Sequence, residues 1–270
     1  MRQLGVSTTT WSINLAATAF GLLIWSVGHR LQPPARRATL AFLAAAGIAT
    51  ILLPFASQGI LGVHRWISVA GLRLHASAIA APLIILCVAA SRRISSAIAI
   101  GGIAAMILAL QPDAAQSTSL AAACVVILLQ ARARQRHGAL LGVALLLAIS
   151  AASFVRHDPL PPVPHVEGIF KVVASWGPVS AAMATIALLL LPAPFFVAWH
   201  RHRRPTALAL GLYVALIVLA PAWGTFPVPV MGYGASPILG YFIALAVGVG
   251  GPSRIEEVHG GASSSSSASE

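Results

Sequence analysis

The chain has 270 residues, of which 58% are hydrophobic and only 9% are charged, and its mean hydropathy is +0.86. A soluble globular protein needs far more charge to cover its surface, so the composition excludes that class and predicts an integral membrane protein. The formal net charge of +11 does not indicate nucleic-acid binding, because the arginines form short clusters between long apolar runs, as topology determinants do.

Nine apolar runs are predicted to cross the membrane, since about 20 residues span about 30 Å of hydrocarbon and shorter runs suffice when their flanks snorkel. The first is read as a retained helix, because no small-residue cleavage site clearly follows it. The seventh is too long for one straight crossing, and its Gly-Pro and Pro-Ala-Pro sequences should kink it. The predicted spans are Ser12–Gly28, Ala38–Ser57, Ser77–Ala90, Ile94–Leu110, Ser117–Ala131, Gly138–Val155, Ile169–Trp199, Thr206–Trp223 and Pro237–Gly250.

The sequence therefore predicts an all-α polytopic helical bundle over residues 1–252. The remaining residues, 253–270, have a serine run and almost no apolar content, and they are predicted to form a disordered tail.

Arginines cluster in every second loop. They follow the first, third, fifth and seventh spans, at Arg30, Arg36 and Arg37, at Arg92 and Arg93, at Arg132, Arg134 and Arg136, and at Arg201, Arg203 and Arg204. Loops rich in arginine stay on the cytoplasmic side. The pattern predicts an N-terminus outside and a C-terminus inside, so the intervening loops face outward.

The outward loops hold most of the remaining polar chemistry. Three of the six carboxylates lie in the tail, and the other three are Asp113, Asp158 and Glu167. Any acid–base chemistry must use these three side chains, because proton transfer needs a titratable group at the reacting centre.

Four outward segments form an ordered set of motifs. They are Gly62-Val-His-Arg-Trp-Ile67 running into Leu72-Arg-Leu-His-Ala-Ser77, then Gln111-Pro-Asp113, then His165-Val-Glu-Gly-Ile-Phe170, and finally Pro227-Val-Pro-Val-Met-Gly-Tyr-Gly-Ala-Ser236. In that order they resemble the G-x-x-R-W-[IL] loop with its Q-P-S-E helix start, the QPD, the H-T-D-F-I-F and the P-x-P-[FL]-[VI]-S-Y-G-G-S segments of the SEDS (FtsW/RodA/SpoVE) family. The resemblance covers most of the chain, with one N-terminal helix of the family's ten missing.

The resemblance implies a multi-pass protein of the bacterial inner membrane, linked to peptidoglycan synthesis, cell shape or division. Such a protein handles undecaprenyl-linked precursor at the outer leaflet, and a transpeptidase or another membrane subunit would be its partner. Glu167 stands where the family has its catalytic aspartate. The residues expected to bind substrate or phosphate are Arg65, Arg73, Asp113, Arg156, Tyr233 and Ser236.

Three departures from the family pattern predict degenerate catalysis. The large outer loop is cut to the few residues between Val155 and His165, and the glutamate and lysine of the Q-P-S-E-x-x-K helix start are replaced by Ala78 and Ala81. The catalytic aspartate has become Glu167, whose extra methylene misplaces a base that must sit within less than about 1 Å of its productive position.

For Glu167 itself, the favoured interpretation is an ion pair with Lys171, four residues later on one helix face. Three functional classes stay open: an active glycosyltransferase with Glu167 as base, a non-catalytic lipid-binding or accessory subunit, and a transporter. The transporter is the least favoured, because no acid or base lies within a span where coupling ions would bind.

Other residues have structural interpretations. Asp113 follows a proline at a helix boundary, so it is expected to cap the next helix. The outward histidines, His64, His75, His157 and His165, lack the spacing of metal ligands, and neither a metal nor a cofactor is expected. Because the matching family loops meet at the outer face, Arg65 and Trp66 are expected to pack near Tyr233.

Overall fold

The computed structural model describes residues 8–28, 37–131, 133–156, 158–232 and 234–249. The helices within these ranges are α1 (Thr8–Gly28), α2 (Arg37–Leu52), α3 (Ala76–Ala89), α4 (Ile94–Leu110), α5 (Ala114–Leu129), α6 (Arg136–Ser153), α7 (Ile169–Ala174), α8 (Pro178–Leu190), α9 (Ala193–His202), α10 (Pro205–Leu219) and α11 (Ala235–Gly248). The predicted all-α polytopic bundle is confirmed. The tail from residue 253 lies outside the described residues.

Four helical segments are long and apolar enough to cross a membrane: Arg37–Ala56, Ala133–Ser153, Pro178–His202 and Pro205–Ala222. Five shorter apolar helices accompany them in the described ranges, at Ser12–Gly28, Ala76–Ala89, Ile94–Leu110, Ala114–Leu129 and Ala235–Gly248. Eight of the nine coincide with the predicted spans to within about five residues, whereas the seventh begins at Pro178 and not at the predicted Ile169.

A small hairpin precedes α3. Strands β1 (Trp66–Val69) and β2 (Leu72–His75) pair antiparallel, with Trp66 opposite His75 and Val69 opposite Leu72. It lies at the same end of the bundle as the turn between α4 and α5 and the loop around Asp158, because Arg65 bonds to both. We call this end of the bundle the hairpin face.

The core is rich in alanine, and small side chains let the helices approach closely. Helices α3, α4 and α5 are buried along much of their length, and α11 packs between α1 and α3. The closest approach is at Gly240 of α11, where an added Cβ would lie 1.9 Å from the carbonyl oxygen of Ala78.

Pro82 of α3 and Gly240 of α11 together account for the close approach of the two helices at this point. Proline has no N–H, so the carbonyl of Ala78, four residues earlier, has no helical donor. A glycine on the neighbouring helix leaves room for this carbonyl, which Gly240 faces across the α3–α11 interface.

The seventh predicted span is divided into three helices. Gly177, at φ +120°, separates α7 from α8, which begins at Pro178. Pro192 lies in the break between α8 and α9, and Pro194 is in the first turn of α9. The predicted kinks are confirmed. The hydroxyl of Tyr241 donates a hydrogen bond of 3.0 Å to the carbonyl oxygen of Leu191 at the second break.

Candidate functional site

Arg65, which directly precedes β1, bonds to two other segments of the hairpin face, the α4–α5 turn and the loop around Asp158. Its Nε donates to the carbonyl oxygen of Gln111 at 3.2 Å, and its Nη2 donates to the carbonyl oxygen of Pro112 and to Oδ2 of Asp158, the latter at 2.7 Å. The side chain of Arg65 is 7% exposed, whereas that of Asp158 is 25% exposed. These contacts give Arg65 a structural role, because they hold the loops of the hairpin face together. Phosphate binding by this residue stays a prediction.

Asp113 caps α5 and also meets the end of the hairpin. Its Oδ1 accepts from the backbone N–H of Gln116 at 3.4 Å, so the capping prediction is confirmed. Its Oδ2 lies 3.4 Å from His75 Nε2 and 3.4 Å from Ser77 Oγ.

The imidazole of His75 lies between Asp113 and Ser77. Its Nδ1 is 2.9 Å from Ser77 Oγ, so a neutral ring with its proton on Nε2 donates to Asp113 and accepts from Ser77. Burial lowers the pKa of His75 most, the Asp113 carboxylate raises it, and the Arg65 guanidinium lowers it again, for a net decrease below 6.5. The ring is therefore neutral at pH 7.

This cluster lies at the polar end of a cavity between the helices of the bundle. The space in it that admits a water-sized sphere is about 80 Å³, well below the volume of sites for drug-sized ligands. Its polar lining comes from His75, Asp113, Gln116, Tyr213 and Tyr241, and the rest is apolar. Tyr213 donates its hydroxyl proton to Gln116 Oε1 at 2.7 Å. The described residues that line the cavity include neither lysine nor arginine.

Glu167 does not form the predicted ion pair with Lys171. Its Oε2 accepts from the backbone N–H of Val163 at 2.7 Å, and the ion pairs within 4 Å among the described residues do not include Glu167. The reason is local geometry. Helix α7 begins at Ile169 with Gly168 as its N-cap, so Glu167 lies in the preceding turn, and the side chains at 167 and 171 do not share a helix face.

The other predicted site residues divide between the surface and the interior. Arg73 and Arg156 are exposed, with no carboxylate partner among the described residues. Ser236 is buried, and its Oγ accepts from the backbone N–H of His75 at 2.7 Å. Tyr233 lies outside the described residues, so its expected packing near Arg65 and Trp66 stays a prediction.

Sequence reasoning missed Asn14. Its Nδ2 donates to the carbonyl oxygen of Gly232 at 3.0 Å, and its Oδ1 accepts from the N–H of Gly234 at 3.2 Å. One amide thus bonds to the backbone at both residue 232 and residue 234, next to the loop that lines the cavity. The available signal was an amide inside an apolar span, where polar side chains are costly and usually have a dedicated partner.

The contact of Ser77, His75 and Asp113 does not form a hydrolytic triad. Ser77 Oγ is behind the ring, in a residue that is 1% exposed, and Ser77 is not among the residues lining the cavity. A nucleophile must reach the substrate, so this cluster serves to position groups at the cavity. Within the described ranges, no three metal-ligating side chains come together.

Comparison with solved structures decides the fold. Two crystal structures of the rod shape determining protein RodA from Thermus thermophilus, one of them a point mutant, superpose on this chain with TM-scores of 0.64 and 0.63. Sequence identity is 19%, and the alignment covers 90% of this chain and 88% and 87% of those chains. The chain has the fold of RodA.

The short motifs predicted the fold, whereas comparison of the whole sequence with known families and proteins did not. No family model matches the sequence, and no curated protein is similar to it. The SEDS-like architecture predicted from four short motifs is confirmed. At 19% identity the likeness concerns the fold, and it leaves the activity to be argued from the site.

Proposed function

We propose that this SEDS-like protein takes part in bacterial cell-wall synthesis by handling a polyprenyl-linked peptidoglycan precursor at the outer leaflet of the inner membrane, with degenerate catalysis. The RodA-like fold supports the cell-wall role. In this proposal the hairpin face points outward, as the arginine clusters predict.

The state of Glu167 carries the proposal of degenerate catalysis. A catalytic base must reach the acceptor hydroxyl, and cations must stabilise the leaving pyrophosphate. Here the carboxylate is bonded to the N–H of Val163 within its own turn, and the buried Arg65 is occupied by two carbonyls and Asp158.

A polymerisation assay tests the catalytic part. Purified protein is incubated with fluorescent lipid-linked precursor, alone and with a transpeptidase, and the products are separated by size. We expect no glycan chains from the wild type or from Glu167→Gln. Glycan made by the wild type and lost in Glu167→Gln would overturn the proposal and favour an active glycosyltransferase with Glu167 as base.

A binding assay tests precursor handling separately. Arg73 and Arg156 are exposed cations that lie on the hairpin face in this proposal and could meet a pyrophosphate there. We expect Arg73→Gln with Arg156→Gln to reduce cross-linking of a photoactivatable precursor several-fold. The matched control removes two exposed arginines from the α3–α4 loop, Arg92→Gln with Arg93→Gln, and should leave cross-linking unchanged. Equal loss in both variants would contradict a specific site.

The second candidate is a non-catalytic lipid-binding or accessory subunit of another membrane complex. It is favoured by one observation, the cavity whose described lining is mostly apolar and carries no cation. A stable second chain that co-purifies with the protein from its native membrane, together with absent precursor binding, would support this candidate over the first.

A further inference from the structure

A groove runs along α9 at the end of the bundle opposite the hairpin face. Helix α11 begins beside His75, whose backbone N–H donates to Ser236, and ends at Gly248, so the next residue, Val249, lies at the opposite end. Val249 lines the groove together with residues of α9 and the end of α8. The space in the groove that admits a water-sized sphere is about 460 Å³, which is within the range of small-molecule sites.

The apolar lining of the groove follows one face of α9. Pro194, Val197 and Arg201 line it at separations of three and four residues, which places them along one stripe of a helix. Leu190 and Val197 are 60% and 49% exposed, and both belong to the segment Pro178–His202, which is long and apolar enough to cross a membrane. In a bilayer the groove therefore opens toward lipid chains, and an acyl chain is the apolar group that covers it.

The stripe ends in basic side chains. Arg201 and His202 line the groove from the last turn of α9, and the described residues of the lining include no aspartate or glutamate. Arg201 is exposed, and the ion pairs within 4 Å in the described part of the chain do not include it. The neighbouring Arg203 differs, because its guanidinium lies 5.3 Å from the ring centre of Trp199. The guanidinium of Arg201 can therefore bind an anion, and its planar set of donors matches a phosphate.

The position of these cations along the bundle selects a lipid head group over other anions. The arginine clusters predict that the end of the bundle opposite the hairpin face lies at the cytoplasmic surface of the membrane. Acidic phospholipids attract basic side chains at that surface, and each such side chain strengthens binding about fivefold. A ligand that joins an acyl chain to an anionic phosphate would satisfy both the stripe and its basic end.

We propose that this groove binds an acidic glycerophospholipid, with an acyl chain along the stripe of α9 and the head-group phosphate at Arg201 and His202. The site is separate from Arg73, Arg156 and Glu167, on which the proposed function depends. It therefore adds a second ligand class to the protein and can be tested without peptidoglycan precursor.

The experiment compares phosphatidylglycerol with phosphatidylcholine of the same acyl chains by native mass spectrometry of the full-length protein released from detergent. One-to-one adducts are counted over a titration. We expect the wild type to bind phosphatidylglycerol at least about fivefold more tightly. In Arg201→Gln the two lipids should bind to within about twofold of each other. Arg92→Gln is the matched control, since it removes an exposed arginine from another loop of the predicted cytoplasmic side, and it should keep the wild-type preference.

A groove-filling pair locates the site. Ala193→Phe places a ring in the groove, and Ala182→Phe makes the same change at an exposed position of α8 that does not line it. We expect the first to reduce phosphatidylglycerol adducts at least about fivefold, because the lipid loses its place on the stripe, and the second to leave them unchanged. If Ala193→Phe fails to fold, Arg201→Gln still decides the question through the ratio of the two lipids.

A competition arm separates a lipid from a free phosphate. Soluble glycerol phosphate carries the same anionic group without the acyl chains, so it should not displace phosphatidylglycerol when added at the same concentration.

Four outcomes would overturn the proposal: equal binding of the two lipids by the wild type, equal effects of Arg201→Gln and Arg92→Gln, undiminished adducts in folded Ala193→Phe, or displacement of the lipid by glycerol phosphate. Failure of the proposed function is distinguishable. In that case precursor cross-linking would not respond to Arg73→Gln with Arg156→Gln, while phosphatidylglycerol binding would keep its dependence on Arg201.

Discussion

Gly240 offers the sharpest test of the packing between α3 and α11. In Gly240→Ala the new methyl group would lie 1.9 Å from the carbonyl oxygen and 2.8 Å from the carbonyl carbon of Ala78. A backbone group cannot rotate away, so the two helices must separate. Overpacking of this kind costs about 3 kcal/mol, and the better helix propensity of alanine offsets about 1 kcal/mol, which leaves a net loss of about 2 kcal/mol.

The assay is unfolding of the purified protein in mixed detergent and SDS micelles, followed by circular dichroism. Gly102→Ala is the matched control, since Gly102 also lies inside a helix but its added methyl would meet only a side-chain carbon of Leu145 at 3.7 Å. We expect the control to be neutral or stabilising by up to about 1 kcal/mol. A free energy of unfolding for Gly240→Ala at or above that of the wild type would refute the reasoning.

Further predictions concern the hairpin face and the topology. Arg65→Met should destabilise the protein by about 2 to 3 kcal/mol in the same unfolding assay. This loss is smaller than that for breaking a fully buried ion pair, because the side chain of Asp158 is 25% exposed. Asn14→Ala should cost about 1 to 2 kcal/mol, since it removes both hydrogen bonds that hold the turn at 232–234. The lowered pKa of His75 means that the unfolded chain binds more protons, so stability should fall as the pH drops below about 6.5, with a smaller slope in His75→Gln. Membrane-impermeant thiol reagents added from the periplasm should label a cysteine at Thr8 and not one at Ser265, and the reverse pattern would exclude the predicted N-out orientation.

Helix positions could be predicted well because hydrophobic length is a local property. Helix α4 is observed at Ile94–Leu110, the same limits that the sequence predicts, and Pro178 and Pro192 mark breaks at the expected places. The capping role of Asp113 was also predictable, since a cap depends only on the residues that follow it.

The contacts that build the site were not predictable in the same way. The Glu167–Lys171 ion pair was wrong because it assumed that the helix begins before residue 167, and helix boundaries are the least certain part of a sequence reading. The approach of His75 to Asp113 and the bonds of Asn14 to the turn at 232–234 join segments far apart in the chain. Only the packing of whole helices determines such pairs.

The break at Leu191 links the cavity to the lipid around the protein. Leu191 directly follows α8, which has many exposed apolar side chains, and both Leu191 and its hydrogen-bond partner Tyr241 line the cavity. A long apolar helix in a bilayer of different thickness responds by tilting. Tilting of α8 would move Leu191 and Tyr241 together, so the size of the cavity should depend on bilayer thickness. Reconstitution into short-chain and long-chain phosphatidylcholine should therefore change the dimensions of the cavity without any change in the sequence.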